Sequence, residues 1–221
     1  MSFSGFTPET GEFLWALAFH NERPWFQEHK EQFLRVLKEP FDALARETLA
    51  RMQEAFPEET WQLHVSRIYR DARRLFGRGP YKDHLWFTVW DGAGRHDSPA
   101  FWFQISAASW GCGMGYYDAS SAQMESYRRY ILDHRPEMET LARRLRRQSV
   151  FTLEGESFKR PKGDVGELLN PWYNKKWVGI LAEHDFGGDL FSPELPRILA
   201  EGYAFLLPYY RLMCRFRNPE E

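Results

Sequence analysis

The amino-acid sequence predicts an α+β fold in which one mainly antiparallel sheet of about four to six strands packs with N-terminal and C-terminal helices. Apolar residues recur at helical spacing in the first quarter of the chain and again after residue 120, whereas the stretch between them alternates with period two. Helical and extended stretches are thus grouped in blocks, without the strand-helix alternation of parallel sheets. The 221 residues, 17% of them aromatic, are enough to bury a substantial core. We therefore expect a single domain over residues 1–221.

The N-terminal block, about residues 7–56, is predicted to contain three helices. It begins at residues 7–9 with a capping Thr, a Pro suited to the first helical position and a Glu in the first turn. Pro24 is expected to open the second helix. Pro40 is expected to break it, because an interior proline lacks a backbone donor and clashes with the preceding turn. Pro57 is expected to end the third helix.

A sheet is predicted for about residues 61–117. Side chains of the first strand alternate between faces, so Arg67 and Arg70 are expected to leave opposite faces of the strand. The fourth candidate strand has glycine at every second position of residues 111–115, which leaves one face bare. Strand glycine often marks close approach, and we interpret this face as a packing surface in preference to a ligand contact.

The C-terminal half is predicted to contain helices and a basic loop over about residues 120–169, with a short strand at residues 150–153. Residues 172–181 fit either a strand or a helix. A long helix is predicted for about residues 193–215. It is expected to bend or break near Pro208.

The most unusual stretch is the basic segment of residues 67–82. It contains six basic residues and one acid, a net charge of +5, although the whole chain carries −2. Guanidinium groups match carboxylate and phosphate oxygens two at a time, so the segment predicts an anionic partner. The two glycines and the proline of residues 77–80 mark a turn whose backbone N–H groups can approach an anion. The alternative is a solvated or ion-paired surface, in which these arginines lie in water or pair with Asp and Glu.

Common catalytic and metal-binding signatures are absent from the sequence. No Walker loop, nucleophile elbow, H-E-x-x-H helix or EF-hand loop occurs, and this leaves open whether the protein is an enzyme. Cys112 and Cys214 have no C-x-x-C partner, so we predict neither a zinc site nor a disulfide framework. One short-range collection of potential metal ligands is interpreted as ordinary polar strand and loop residues, so no metal and no cofactor is predicted. Its members are Asp83, His84, Asp91, His96 and Asp97.

Composition also limits which cellular location and which binding partners we expect. The chain has no run of about eighteen apolar residues and no basic start followed by an apolar stretch, so we expect a cytoplasmic protein without a membrane span. Its nearly balanced charge argues against a general nucleic-acid coating protein. One local RNA contact is compatible with that balance.

Part of the basic segment fits a longer pattern. Arg70-Asp71-Ala72-Arg73, followed after six residues by Pro80-Tyr81-Lys82, resembles R-D-x-R-F-S-x-D-K-x-P-Y-K, the signature of a bacterial and fungal family known as domain of unknown function 2461. The resemblance continues in the same order along nearly all of the chain. It includes residues 21–33 with N-x-x-x-W-F, residues 98–117 with P-G-x-Y-F and a glycine-rich strand, and residues 158–163 with L-K-R-x-P-K-G. The resemblance implies a conserved protein without an established activity.

The chain departs from this signature at its centre, where F-S-x-D-K is replaced by residues 74–78. The acid of the pattern is lost at Gly77, whereas Arg78 keeps the positive charge of the Lys. Any role of that acid in metal binding or proton transfer would therefore not be shared by this chain.

These patterns favour a binding site for a small or extended anionic ligand, built from residues 70–82 and closed by a second basic cluster near residue 160, with Asp71 orienting an arginine. An alternative of another class is an RNA or protein interaction module that uses the same basic loop and exposed Trp or Tyr side chains. A purely structural interpretation pairs Arg70 and Arg73 with carboxylates. The candidate ligand-binding residues are Arg70, Asp71, Arg73, Arg78, Tyr81, Lys82, Lys159, Arg160 and Lys162.

Overall fold

Six strands form one antiparallel sheet in the computed structural model, which describes residues 2–71, 73, 77–92, 98–116 and 118–217. The strands are β1 (Gln62–Val65), β2 (His84–Trp90), β3 (Ala100–Ser106), β4 (Ser109–Gly115), β5 (Thr152–Glu154) and β6 (Gly179–Asp185). Their order across the sheet is β1-β2-β3-β4-β6-β5. The α+β class and the antiparallel sheet predicted from the sequence are confirmed.

The helices flank this sheet in sequence, as the block pattern predicts. They are α1 (Pro8–Phe19), α2 (Arg23–Glu28), α3 (Lys30–Phe33), α4 (Glu39–Ala55), α5 (Ser121–Asp133), α6 (Arg135–Arg146), α7 (Asn170–Tyr173) and α8 (Leu195–Cys214). A π-helical segment, Leu34–Lys38, lies between α3 and α4, and a 3-10 turn, Gly188–Phe191, lies between β6 and α8. In the described ranges, no helix combines the length and the apolar character that crossing a membrane requires.

Contacts within the chain define two compact units. The first comprises Met1–Asp91, Trp102–Cys112 and Glu183–Glu201, and the second comprises Gly92–Phe101, Gly113–Ala182 and Gly202–Glu221. Each unit is assembled from segments that are distant in sequence. The organisation as a single domain stays a prediction.

In the first unit, phenylalanines attach the N-terminal helices to one face of the sheet. The ring of Phe41 in α4 lies 5.8 Å from that of Phe87 in β2 and 6.0 Å from that of Phe103 in β3, measured between centroids. All three side chains are fully buried. Burying a side chain of this size contributes about 1.5–3 kcal/mol, so this cluster is a main source of cohesion in the unit.

Pro40 does not break the helical backbone, so that prediction is wrong. Helix α3, the π-helical segment and α4 follow one another without a gap. Pro40 lies in the first turn of α4, and the N–H of Glu39 just before it bonds to the carbonyl of Leu34, five residues back. The wider π turn changes the hydrogen-bond pattern just before the proline. Pro40 therefore stands in the first turn of a helix, where a missing backbone N–H is tolerated.

In the second unit, aromatic side chains form the core between α6, β3 and the C-terminal part of α8. Phe101 lies 4.6 Å from Tyr210 and 5.0 Å from Tyr203 between ring centroids. The hydroxyl of Tyr209 donates to the carbonyl of Leu141 at 2.9 Å, which ties α8 to α6.

The sequence predicts a bend or a break near Pro208. Helix α8 continues through Pro208 to Cys214, so the helix does not break there. An interior proline costs a helix about 3 kcal/mol. The residues on both sides of it are buried, and their packing offsets that cost. These residues are Leu206, Leu207, Tyr209 and Tyr210.

Residues 172–181, which the sequence left ambiguous, contain the end of α7 and the start of β6. The sheet thus extends beyond the predicted region of residues 61–117. Strand β6 also accounts for the glycines of β4, because a Cβ added at Gly113 would lie 2.7 Å from the Cβ of Leu181, and one at Gly115 would lie 3.0 Å from the Cα of Gly179. The interpretation of these two glycines as packing positions is confirmed, and their partner is a neighbouring strand.

Candidate anion-binding site

The basic segment forms an extension of the β1–β2 hairpin. Tyr69 and Tyr81 make an antiparallel bridge beyond the end of β1, and the N–H of Lys82 donates to the carbonyl of Ile68 at 2.7 Å. Closer to the sheet, the N–H of Ser66 donates to the carbonyl of Trp86 at 2.8 Å. Arg67 of the first strand therefore lies opposite residues 83–85 of the second. This bulge changes the direction of the side chains around Asp83.

A side-chain amide from the N-terminal block holds this extension in place. Oδ1 of Asn21 accepts from the N–H of Tyr81 at 2.9 Å, and its Nδ2 donates to the Tyr81 carbonyl at 3.0 Å. A Cβ at Gly79 would lie 2.5 Å from the Asn21 carbonyl oxygen, so the close approach requires glycine. Asn21, Gly79 and Tyr81 thus form one clamp across some sixty residues of sequence.

Tyr81, predicted as a ligand-binding residue, supports the hairpin from inside. Its ring stacks on that of Phe26 in α2 with 4.1 Å between centroids, and the residue is 1% exposed. Burial raises the pKa of its hydroxyl. The ring of Tyr81 is therefore part of the packing beneath the hairpin, and its predicted part in ligand binding stays a prediction.

Arg70 and Lys82 share one face of the hairpin extension. Tyr69 and Tyr81 are paired directly, so their side chains point to one face and the next residue of each strand points to the other. Ile68 is buried and Arg67 is exposed, which confirms the predicted alternation that sends Arg67 and Arg70 to opposite faces.

The guanidinium of Arg70 is largely buried and poorly satisfied. Its side chain is 15% exposed, its nearest charge partner is Oδ1 of Asp83 at 3.7 Å, and its Nε is buried without a hydrogen-bond partner. A distance of 3.7 Å is an ion pair but is too long for a good hydrogen bond. Within the described residues, no acceptor forms a hydrogen bond with this guanidinium group.

Lys82 places a second cation beside Arg70. Its Nζ donates to the carbonyl of Arg67 at 2.8 Å and lies 5.9 Å from the centre of the Trp86 ring. Burial lowers the pKa of Lys82, and the positive charges of Arg70 and Arg67 lower it further. The local field is therefore positive, and an anion bound here would relieve the repulsion.

Asp83 and His84 complete the cluster, and the sequence pattern did not indicate their pairing. Nδ1 of His84 donates to Oδ1 of Asp83 at 2.8 Å. Burial by itself raises the pKa of Asp83, but the hydrogen bond from His84 and the charges of His84 and Arg70 bring it below its usual value. One carboxylate thus pairs with a histidine and an arginine. Among the described residues, no carboxylate forms an ion pair with Lys82.

Arg73, Asp71 and Arg78 lie at the exposed end of the hairpin. Oδ1 of Asp71 accepts from the backbone N–H of Arg73 at 3.0 Å, and Oδ2 accepts from its guanidinium at 2.7 Å. The side chain of Arg73 is 88% exposed, and Arg78 is exposed as well. Asp71 orients an arginine as expected, and that arginine is the solvated Arg73.

The second basic cluster, near residue 160, lies in the second unit. The N–H of Lys162 donates to Oδ1 of Asn174 at 2.7 Å, and its Nζ lies 5.0 Å from the Phe158 ring. Lys159 and Arg160 are exposed. The same Phe158 ring lies 5.5 Å from the guanidinium carbon of Arg128. Arg128 is 6% exposed, and no sequence pattern indicated it as a site residue. The predicted closure of the first site by this cluster stays a prediction.

The described residues contain no group of three or more His, Cys, Asp or Glu side chains that could hold a metal ion. Asp83 and His84, two of the potential ligands noted in the sequence, pair with each other. His96 and Asp97, two others, lie outside the described residues.

Residues 9–211 match the model of a family described as conserved hypothetical protein, DUF2461. The chain belongs to this family. The match covers nearly the whole chain and confirms the resemblance seen in the sequence. A search of curated proteins found no match.

The DUF2461 signature gains a structural explanation from this chain. Its Asn and the Tyr of its Pro-Tyr-Lys meet in the clamp between Asn21 and Tyr81, and its first Arg is the largely buried Arg70. Gly77, where the DUF2461 pattern has an acid, adopts a positive φ of 77° in open space, a conformation that favours glycine. The signature therefore combines residues that build the hairpin with residues that place cations on one face of it.

Proposed function

We propose that this DUF2461 protein binds a small anionic ligand, carrying a phosphate or carboxylate group, through Arg70 and Lys82. The observation that supports this most is the Arg70 guanidinium, which is largely buried and lacks a hydrogen-bond acceptor among the described residues. Burying a charge without hydrogen bonds is costly. A bidentate anion would supply two charge-assisted bonds and offset that cost.

Each residue of the cluster has a distinct part in this proposal. Arg70 provides the planar fork, and Lys82 provides a compact charge beside it. Asp83 holds Arg70 when the ligand is absent, and its longer contact of 3.7 Å is one that a better-placed anion can replace. Arg73 and Arg78 add positive charge at the exposed rim and attract the ligand from solvent. A cytoplasmic location belongs to the proposal as well.

A thermal-shift screen of phosphorylated metabolites, nucleotides and di- and tricarboxylates tests this proposal. A ligand present at about 100 times its dissociation constant adds roughly 2.7 kcal/mol to the free energy of unfolding, and the melting temperature should rise by several degrees. Arg70→Gln should weaken the best ligand about tenfold or more, because charged hydrogen bonds contribute about 1.5–3 kcal/mol. Arg35→Gln is the matched control, since Arg35 is an exposed arginine paired with Glu9 in the same unit.

Two outcomes of that screen would count against the proposal. One is a broad anion library that leaves the melting temperature unchanged, and the other is a ligand whose affinity is equal in Arg70→Gln and Arg35→Gln. Salt dependence distinguishes this proposal from the alternative, an RNA-binding module. When a protein neutralises several RNA phosphates, its affinity for the RNA falls steeply and log-linearly as the salt concentration rises. A compact anion held by two cations should respond less.

The lowered pKa of Lys82 predicts how affinity depends on pH. An anion is bound best while Lys82 is protonated, so affinity should fall as pH rises through the pKa of Lys82, which lies below the usual lysine value of 10.5. The fall should not exceed about tenfold per pH unit, the limit for one linked proton. Citrate titrations from about pH 7 to about pH 10 measure it, because the charge of citrate is constant over that range.

Lys82→Arg is the control for this pH dependence. An arginine keeps its charge throughout the same range, so the affinity of the variant should be nearly constant. Identical pH profiles for the wild type and Lys82→Arg would remove Lys82 from the binding site.

A further inference from the structure

A second arginine with an unsatisfied guanidinium lies in the second unit, on α5. Arg128 is 6% exposed. Its Nε and Nη2 both donate to Oε2 of Glu125, at 3.3 Å and 2.9 Å, but its Nη1 is buried without a hydrogen-bond partner among the described residues. Because a buried donor that stays unpaired is costly, Arg128 favours an acceptor that these residues do not supply.

Lys162 brings a second cation to the aromatic ring that Arg128 contacts. The Nζ of Lys162 lies 5.0 Å from the centre of the Phe158 ring, and the guanidinium carbon of Arg128 lies 5.5 Å from it. Both cations also act on one carboxylate. The hydrogen bond and the charge of Arg128 lower the pKa of Glu125, and the charge of Lys162 lowers it further. The two cations are therefore neighbours, although α5 and the loop around residue 160 are distant in sequence.

Asn174 holds the loop that carries Lys162. The backbone carbonyl of Asn174 accepts from the N–H of Phe158 at 3.0 Å. Its Oδ1 accepts from the N–H of Lys162 at 2.7 Å, and its Nδ2 donates to the carbonyl of Gly163 at 3.0 Å. One residue thus fixes both ends of the loop, so the loop backbone is in place before a ligand binds.

The positive charges around Arg128 outnumber the carboxylate that pairs with it. Arg129, an exposed residue of the same helix, also lowers the pKa of Glu125. Three cations, Arg128, Arg129 and Lys162, and one carboxylate leave a local charge of +2. A phosphate group carries about 1.5 to 2 negative charges at pH 7 and three acceptor oxygens, whereas a carboxylate carries one charge. The local charge therefore favours a phosphate over a carboxylate.

We propose that the second unit contains a phosphate-binding site, in which Arg128 and Lys162 hold the phosphate group of a small molecule. Nη1 of Arg128 donates to one phosphate oxygen, and the flexible, exposed side chain of Lys162 places its ammonium on another. Glu125 orients the guanidinium from its other edge. The site does not depend on Arg70, because all the residues that form it lie in the second unit.

Titration of the Arg70→Gln variant with inorganic phosphate tests this site, because that substitution weakens the site proposed in the first unit. Isothermal titration calorimetry should detect phosphate binding. Adding Arg128→Gln should weaken it about tenfold or more, since a charged hydrogen bond is lost. Adding Arg143→Gln is the matched control and should leave the affinity unchanged, because Arg143 is an exposed arginine of the same unit that pairs with Glu139.

Lys162→Gln keeps the test decisive if the loss of Arg128 impairs folding. Lys162 is exposed, so its replacement should leave the melting temperature unchanged and still weaken phosphate binding severalfold. Lys159→Gln is its control, since Lys159 is an exposed lysine of the same loop and should have the smaller effect. Acetate, with a single charge, should bind more weakly than phosphate.

The outcomes separate this site from the function proposed above. Phosphate affinity that is lowered by Arg128→Gln and Lys162→Gln but unaffected by Arg70→Gln would support this site and count against the first. Phosphate binding that disappears with Arg70→Gln alone would overturn this site and leave the first standing. Equal affinities in Arg128→Gln, Lys162→Gln and their two controls, or equal affinities for acetate and phosphate, would also overturn it.

Discussion

Replacing Phe26 by Ala should lower the free energy of unfolding by about 3–5 kcal/mol, the range for removing a buried phenylalanine. Phe26 is 1% exposed, and its ring contacts those of Tyr81 at 4.1 Å, Phe33 at 5.1 Å and Tyr69 at 6.1 Å. Loss of the ring leaves a cavity between α2 and the hairpin extension. Denaturant unfolding followed by tryptophan fluorescence measures the change.

Trp15→Ala is the control for this substitution. Trp15 is 52% exposed, so its removal should change the free energy of unfolding by no more than about 0.5 kcal/mol. Phe26→Ala should also weaken anion binding, because Tyr81 precedes Lys82 directly and loses its support. Equal stability of the two variants would show that Phe26 does not anchor the hairpin.

Removing the Asn21 side chain should lower the free energy of unfolding by about 2–4 kcal/mol. Asn21→Ala leaves the N–H and the carbonyl of Tyr81 unpaired, and each unsatisfied group costs about 1–3 kcal/mol. Asn21→Asp keeps the acceptor for the Tyr81 N–H but loses the donor, so its loss should be intermediate. Chemical unfolding of both variants gives the comparison.

Gly79→Ala provides an independent test of the same clamp. The added methyl group would meet both the side chain and the carbonyl oxygen of Asn21, and overpacking of this kind costs about 1–3 kcal/mol. The double variant Asn21→Ala with Gly79→Ala should lose less than the two single losses combined, because the shorter side chain removes part of the clash. Strict additivity would mean that the two residues do not act as one unit.

The clamp also shows why part of the site could not be predicted from the sequence. Asn21 and Tyr81 lie about sixty residues apart, and neither shows any local periodicity that indicates a contact between them. The resemblance to the family includes both residues, and the sequence analysis counts Tyr81 among the candidate ligand-binding residues. The structure shows that the ring of Tyr81 is buried and stacks on Phe26, and its part in ligand binding stays a prediction.

Arg70 and Arg73 illustrate the same limit for charged residues. Both stand in the same signature and carry the same side chain, so the sequence ranked them together. In the structure Arg70 is 15% exposed and lacks a hydrogen-bond acceptor among the described residues, whereas Arg73 is 88% exposed and paired with Asp71. Burial depends on which face of the extended hairpin a residue occupies and on what covers that face.

The sequence by itself determined the features that depend on neighbouring residues. The helix that begins at Pro8, the alternation that separates Arg67 from Arg70 and the α+β class all follow from local periodicity and from caps, which act over a few residues. Only the tertiary structure decided how β6 joins β4, how the π-helical segment connects α3 to α4 ahead of Pro40 and which cations lie close together. These features depend on packing between segments that are distant in the chain, and such packing outweighs local preference because burial of large side chains is worth more than propensity.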